Sequence, residues 1–280
     1  MPRSETLRTV YARQGYVSPI PILSPGEADA LLAKVNTLGA ARGGRLPPAL
    51  NMKAHLLSPA LWALVHDSRI LAPVRAILGD DVLCWGSSFF DKAPGEASHV
   101  PWHQDSTYWG LERPDALTAW VALTASTPQT GCLRVMPGTH GAQRDHRDAG
   151  DRDNMLPAGE VLCDAVDETA AVDIVLHPGE MSLHHQQIVH GSKPNRGTQR
   201  RIGFAIRYIA GDLRGVGRDR SYATLVSGRD HGGFVLETAP ERDMDPAALR
   251  RHGRILRATH AIVRREVSAR RPHKVDGAQP

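Results

Sequence analysis

The sequence predicts a mainly β fold, an antiparallel sandwich or barrel with flanking helices, and three observations carry that expectation. Between about residues 81 and 210 the apolar residues fall into short or alternating runs of strand length. Proline–glycine turns separate these runs, at Ala93-Pro94-Gly95, Met136-Pro137-Gly138 and His177-Pro178-Gly179. No regular helical pattern intervenes, which argues against a parallel α/β sheet.

The first part of the chain reads as helical. Ser24-Pro25-Gly26-Glu27 is a capping box with proline at the first helical position. Behind it Ala28, Leu31, Leu32, Val35 and Leu38 recur at helical spacing. Ser58-Pro59 repeats the start signal, and Ser68 is expected to cap a third helix that ends at Gly79. Strands are expected over 82–90, 117–123, 132–136, 172–176, 181–183 and 202–209. The charged, weakly patterned residues 143–168 read as a long surface excursion and, with 92–100, as the candidate lid. The last forty residues read as helical and then frayed beyond Arg271. One domain over residues 1–280 is expected: a helical part (1–80), a β core (81–210) and a C-terminal helical segment with its tail (211–280).

Composition excludes several classes. Hydrophobic residues make up 41% and charged residues 23%, so a sizeable core needs no disulfide staples. Cys84, Cys132 and Cys163 have neither zinc nor disulfide spacing and read as reduced small residues. No apolar run nears the ~18 residues of a membrane helix, and residues 1–10 lack the apolar stretch of a secretory signal, so a cytoplasmic protein is expected. The net charge of +4 owes much to arginines between 250 and 271. No aromatic residue interleaves them, so a solvated helix face is expected there and no nucleic-acid partner.

Fourteen histidines direct attention to ligand geometry. In Pro101-Trp102-His103-Gln104-Asp105, a histidine and an aspartate stand two positions apart, and on a strand both face the same side. A distant histidine completes a set of two neutral nitrogens and one carboxylate, which suits Fe(II) and leaves coordination positions open. His190 is the candidate, followed by Gly191-Ser192 and then by Arg201; His184 and His185 are alternatives that lack this context. A fixed guanidinium one co-substrate length from iron is what 2-oxoglutarate needs for its far carboxylate. Arg200 is a neighbouring candidate, but alternation places Arg201 with the small Gly203 and Ala205 and with Arg207, opposite Ile202, Phe204 and Ile206. Arg207 on that same face is a candidate for meeting an anionic group on the substrate.

The chain resembles the phytanoyl-CoA dioxygenase family, Fe(II)/2-oxoglutarate-dependent oxygenases that include ectoine hydroxylase. The matching pieces are Trp102-His103-Gln104-Asp105 with Trp109, Thr118-Ala119-Trp120-Val121-Ala122-Leu123, Gly131-Cys132-Leu133-Arg134-Val135-Met136-Pro137-Gly138-Thr139-His140, and His190-Gly191-Ser192 with Arg201. They span about half the chain, in the family's order. The resemblance implies a double-stranded β-helix (jelly-roll, cupin-like) core, with iron on His103, Asp105 and His190. It further implies 2-oxoglutarate on Arg201, Ser192 and Thr118, with Trp109 lining its pocket, and O2 as the second co-substrate. Related halogenases carry Ala or Gly at the metal-binding carboxylate, so Asp105 points to hydroxylation or another oxidation of a small molecule, and the mildly basic charge balance favours an anionic one. Desaturation or cyclisation on the same centre, and a metal-binding cupin without oxygenase activity, are the alternatives.

Overall fold

The computed structural model of the chain describes residues 6–105, 109–156, 159–216 and 220–270, the side chains as far as residue 262. In chain order the elements are α1 (Leu7–Gln14), β1 (Tyr16–Pro21), α2 (Pro25–Gly39), α3 (Pro59–Val65) and α4 (Ser68–Leu78). Next come β2 (Val82–Lys92), β3 (Val100–His103), β4 (Ala116–Ala122), β5 (Leu133–Val135), β6 (His146–Asp148), β7 (Glu160–Leu162) and β8 (Val172–Ile174). The series ends with β9 (Glu180–His185), β10 (His190–Ser192), β11 (Arg201–Ala210), β12 (Tyr222–Ser227), β13 (Val235–Leu236) and α5 (Pro246–Arg270).

The helix starts follow local chemistry. At α2 the Ser24 hydroxyl accepts from the Glu27 amide, while the Glu27 carboxylate accepts from the Ser24 amide, which satisfies two otherwise orphaned donors. At α3 the start is as expected, but the Ser58 hydroxyl donates to Asp243 instead of capping. At α4 the cap is Asp67, one residue before Ser68, and the helix stops at Gly79 (φ 95°).

Two sheets form the jelly roll. The larger has the order β1-β9-β4-β11-β2-β12-β13, antiparallel except for the β12–β13 pair. The smaller has the order β3-β10-β5-β8. Alternation on β11 sends Ile202, Phe204, Ile206 and Tyr208 into a core shared with Val35, Leu61, Ile70 and Val74 of the helices. Burying each such side chain contributes roughly 1.5–3 kcal/mol. The opposite face of the large sheet looks toward the small one, where Trp120, Ala122 and Ala205 pack against Leu133, Val135 and Ile188. The helices therefore stiffen one face of the large sheet and leave the other free to build a site.

Residues 143–168 are more ordered than their sequence suggests. Within them β6 and β7 form an antiparallel ribbon. Gln104 anchors this ribbon, its side chain donating to the Ala142 and Gln187 carbonyls (2.9 and 2.5 Å) and accepting from the Arg144 amide (2.7 Å). Cys84 and Cys132 are buried free thiols, and Cys163 is an exposed one. Arg250, Arg254 and Arg257 are exposed on α5, and the tail beyond Arg270 lies outside the described residues. Among the described residues no helix is long and apolar enough to cross a membrane.

A buried ion pair ties the segment before α3 to the sheet. Lys53, held at φ 51°, pairs with Glu237 (2.8 Å) and donates to the carbonyls of Trp85 (2.5 Å) and Tyr222 (3.0 Å). Burial opposes the Glu237 charge, but Lys53 outweighs it and brings the carboxyl down to about 2. The stability from this pairing is therefore complete above about pH 4.5 and is lost as pH falls toward 2. Lys53→Met leaves the buried carboxylate with only the Thr224 hydroxyl and the His55 ring beside it, and is expected to cost about 3–5 kcal/mol in urea unfolding. Adding Glu237→Leu is expected to restore most of that loss; a single variant of wild-type stability would contradict this account.

Candidate metal centre

The expected triad converges. His103 ends β3, Asp105 follows two residues later, and His190 opens β10, directly opposite His103 in the β3–β10 ladder. One ligand atom from each lies within 4.8 Å of the others. The His103 and His190 Nε2 atoms stand 3.4 and 3.8 Å from Asp105 Oδ1. Each Nδ1 faces the carbonyl two residues earlier on its own chain, Pro101 and Ile188, both at 2.9 Å. Those bonds fix the ring orientation and leave both Nε2 lone pairs facing the carboxylate, the arrangement a metal-ligating imidazole requires.

Electrostatics favour an ionised Asp105 and a neutral His190. Burial opposes the Asp105 charge, but His103, His190 and Arg207 hold its carboxyl far below the ordinary range. Burial also pushes His190 well down and keeps it neutral, as a ligand must be. His103 is disfavoured as a cation by burial, yet Asp105 more than offsets this and raises it. Thr118 donates to Asp105 Oδ2 (3.1 Å), orienting the carboxylate so that Oδ1 faces the histidines. Thr118 is thus seen holding a ligand as well as lining the cavity.

A cavity opens from this cluster between the two sheets, and Thr118, Ser192, Arg201 and Arg207 line it. Arg201 is 2% exposed, its guanidinium donating to the Gly131 carbonyl and lying 5.2 Å from the Trp120 ring. Its Nε has no hydrogen-bond partner among the described residues, nor does any carboxylate pair with it there. Burial lowers it to about 10 and so disfavours its charge. Arg200 points elsewhere and pairs with Asp91 (2.7 Å). The neighbourhood is shaped for this one arginine. A Cβ at Gly203 would fall 1.8 Å from the Trp120 ring, so only glycine seats that indole beneath the guanidinium. Gly131, at φ +70°, turns its carbonyl to Arg201 where a Cβ would strike the Lys193 carbonyl.

Sequence reasoning passed over Lys92. It is fully buried on β2 opposite Arg201, donating to Ser192 Oγ (2.7 Å) and the Lys193 carbonyl (2.5 Å). Burial, and then Arg201, bring it down to about 6. The ladder register that joins it to Arg201 has no local sequence signal. Trp109 stands apart from the cavity wall: it stacks on Trp85 (4.9 Å between centroids) and reaches the site through Arg207, 5.9 Å from its ring. Of the alternative ligands, His184 lines the cavity beside His190 and is brought down to about 4 by burial, but lies outside the triad. His185 packs against Tyr11 and His140.

Comparisons with known proteins agree with this architecture. The family model described as "Phytanoyl-CoA dioxygenase (PhyH)" matches residues 11–203. A probable alpha-ketoglutarate-dependent hypophosphite dioxygenase of Stutzerimonas stutzeri is 33% identical over 181 residues, 62% of this chain and 63% of that protein. The chain thus matches less than two-thirds of that relative's length. An ectoine dioxygenase of Nocardia farcinica is 27% identical over 220 residues, 69% of this chain and 72% of the other. Among solved structures, the non-haem monooxygenase ThoJ in its apo form superposes with a TM-score of 0.83 at 33% identity, covering 95% of this chain and 100% of that one. CytC3 with Fe(II) and alpha-ketoglutarate gives 0.62 at 25% identity, covering 84% and 93%.

Proposed function

The chain belongs to the phytanoyl-CoA dioxygenase family, and on that premise we propose that it is an Fe(II)- and 2-oxoglutarate-dependent dioxygenase that hydroxylates a C–H bond of a small molecule. His103, Asp105 and His190 hold the iron. The observation that carries this reading is the pairing of a two-histidine, one-carboxylate cluster with a buried arginine that has no carboxylate partner among the described residues. Nitrogen and carboxylate donors suit Fe(II), and three protein ligands leave positions open. The orphaned Arg201 Nε at the other part of the same cavity suits an anion that carries its own chelating group.

When bound, iron with 2-oxoglutarate and O2 supplies the oxidising chemistry: C–H becomes C–OH, and 2-oxoglutarate leaves as succinate and CO2. The protein's own residues bind, orient and exclude. Arg201 presents its fork to the far carboxylate of 2-oxoglutarate, and Trp120 and Gly131 fix the plane of that fork. Ser192 adds a hydroxyl whose oxygen already accepts from Lys92, so its proton is free to donate to the same carboxylate. Thr118 keeps Asp105 in one orientation. Apolar walls at Phe90, Val100 and Leu133 limit water around the open positions. Three free cysteines suit a reducing, cytoplasmic compartment.

Anaerobic titration of the chain with Fe(II) in the presence of 2-oxoglutarate tests this. The expected result is a visible metal-to-ligand charge-transfer band that saturates at one iron per chain. Folded protein that gives no band would favour a metal-binding cupin without oxygenase activity.

A further inference from the structure

We propose that Arg207 is an anion-binding site on the substrate side of the cavity, so that the substrate carries a carboxylate, phosphonate, phosphate or sulfonate group beside the C–H bond that reacts. This rests on the reading of His103, Asp105 and His190 as the iron centre and deepens it to a substrate class.

Position is the first argument. Arg201 and Arg207 lie on one face of β11, six residues and so ~20 Å apart at ~3.4 Å per residue. Arg207 stands directly opposite Thr118 in the β11–β4 ladder, and Thr118 opposite His184 in the β4–β9 ladder. Because Thr118 bonds Asp105, that row marks where the metal centre meets the large sheet. Arg207 therefore lies beside the centre, at the end away from Arg201. A co-substrate stretched from Arg201 to the metal leaves Arg207 to whatever occupies the other side.

Its bonding is the second. Arg207 donates from one Nη to Ser88 Oγ (2.8 Å), and its guanidinium lies over Trp109, which Trp85 backs. Among the described residues no carboxylate forms an ion pair with it, so most of its five N–H donors are unspent. A half-buried cation held by one hydroxyl and a stacked pair of indoles is oriented in advance, which lowers the cost of binding.

Charge is the third. Asp105 and a dianionic co-substrate offset the two charges of iron and one of the two arginines. At least one positive charge is left over in the cavity, and a substrate anion is the group that neutralises it. A neutral substrate would leave that excess charge with only Ser88, Trp109 and the more distant Asp105 to offset it.

Calorimetric titration tests this with the full chain loaded with Mn(II) and 2-oxoglutarate, so that no turnover occurs, at constant ionic strength. The probes are methylphosphonate, methanesulfonate and the uncharged methanesulfonamide. Both anions are expected to bind saturably and the amide not. Arg207→Gln is expected to weaken the anions roughly 10- to 100-fold, and Arg207→Lys less, since charge survives and the fork does not. Unchanged melting temperature and 2-oxoglutarate affinity in Arg207→Gln would show that its loss is local. Equal binding of the amide, anion affinity unchanged in Arg207→Gln, or no saturable anion binding would overturn the proposal. A chain that fails to bind 2-oxoglutarate would sink the parent reading alone, because the same anions titrated against the metal-free chain and against its Arg207→Gln variant still report on Arg207.

Discussion

Asp105→Ala is expected to weaken iron binding in chloride-free buffer more than any other change at the centre, while leaving the chain folded. Asp105 supplies the one negative charge of the cluster, and its Oδ1 faces both imidazoles. Without it, two neutral rings remain on strands that are paired through their backbones, so the fold survives and the metal loses its anionic ligand. Asp105→Asn separates charge from shape: the amide keeps the volume and an oxygen for Thr118, yet cannot neutralise a cation, and it is expected to weaken iron binding as well. Thr118→Val sets the scale. Removing an outer partner that only orients a ligand typically costs ~10–100-fold in metal affinity, and the two Asp105 variants are expected to exceed that. Iron retained per chain after desalting, read against thermal melting, distinguishes the cases. Iron held by Asp105→Ala with wild-type affinity in chloride-free buffer would show that the ligand set is wrong.

The parts of this site that were legible in the sequence are those set by local chemistry. The α2 capping box needs only four consecutive residues, and its geometry is the one expected. Strand alternation chose Arg201 over Arg200 because the period is two, and the two side chains do diverge, one into the cavity and one onto Asp91. The pair His103 and Asp105 was visible from its spacing, but not for the reason expected: β3 ends at His103, and Asp105 reaches the centre from beyond the strand. What depends on register between distant segments was not visible. Lys92 reaches Ser192 only because β2 pairs with β11, and no property of residues 82–92 announces that partner. β1 escaped notice because Pro19 and Pro21 argue against a strand, but it is an edge strand, where a missing N–H costs little. Residues 143–168 looked structureless because their order is borrowed from Gln104, a polar side chain on the metal-bearing segment.

Arg201→Met is expected to have two effects of opposite sign. Affinity for 2-oxoglutarate should fall by about 2–5 kcal/mol, roughly 30- to 5000-fold, because the far carboxylate loses its buried, bidentate partner. Stability of the ligand-free chain should rise by about 1 kcal/mol or more, since wild type holds a buried guanidinium with no carboxylate partner among the described residues, and burial already disfavours its charge. Trp120, seated on Gly203, offers the methionine an apolar surface to pack on, so the exchange need not open a void. Arg201→Lys keeps the charge but not the fork and is expected to fall between the two in affinity. Melting curves with and without 2-oxoglutarate read both effects together: wild type should melt lower than Arg201→Met without the co-substrate and gain a large upward shift with it, whereas the variant should gain almost none. A variant that is less stable than wild type yet shifts as much with 2-oxoglutarate would mean that Arg201 serves the fold and that the carboxylate is held elsewhere.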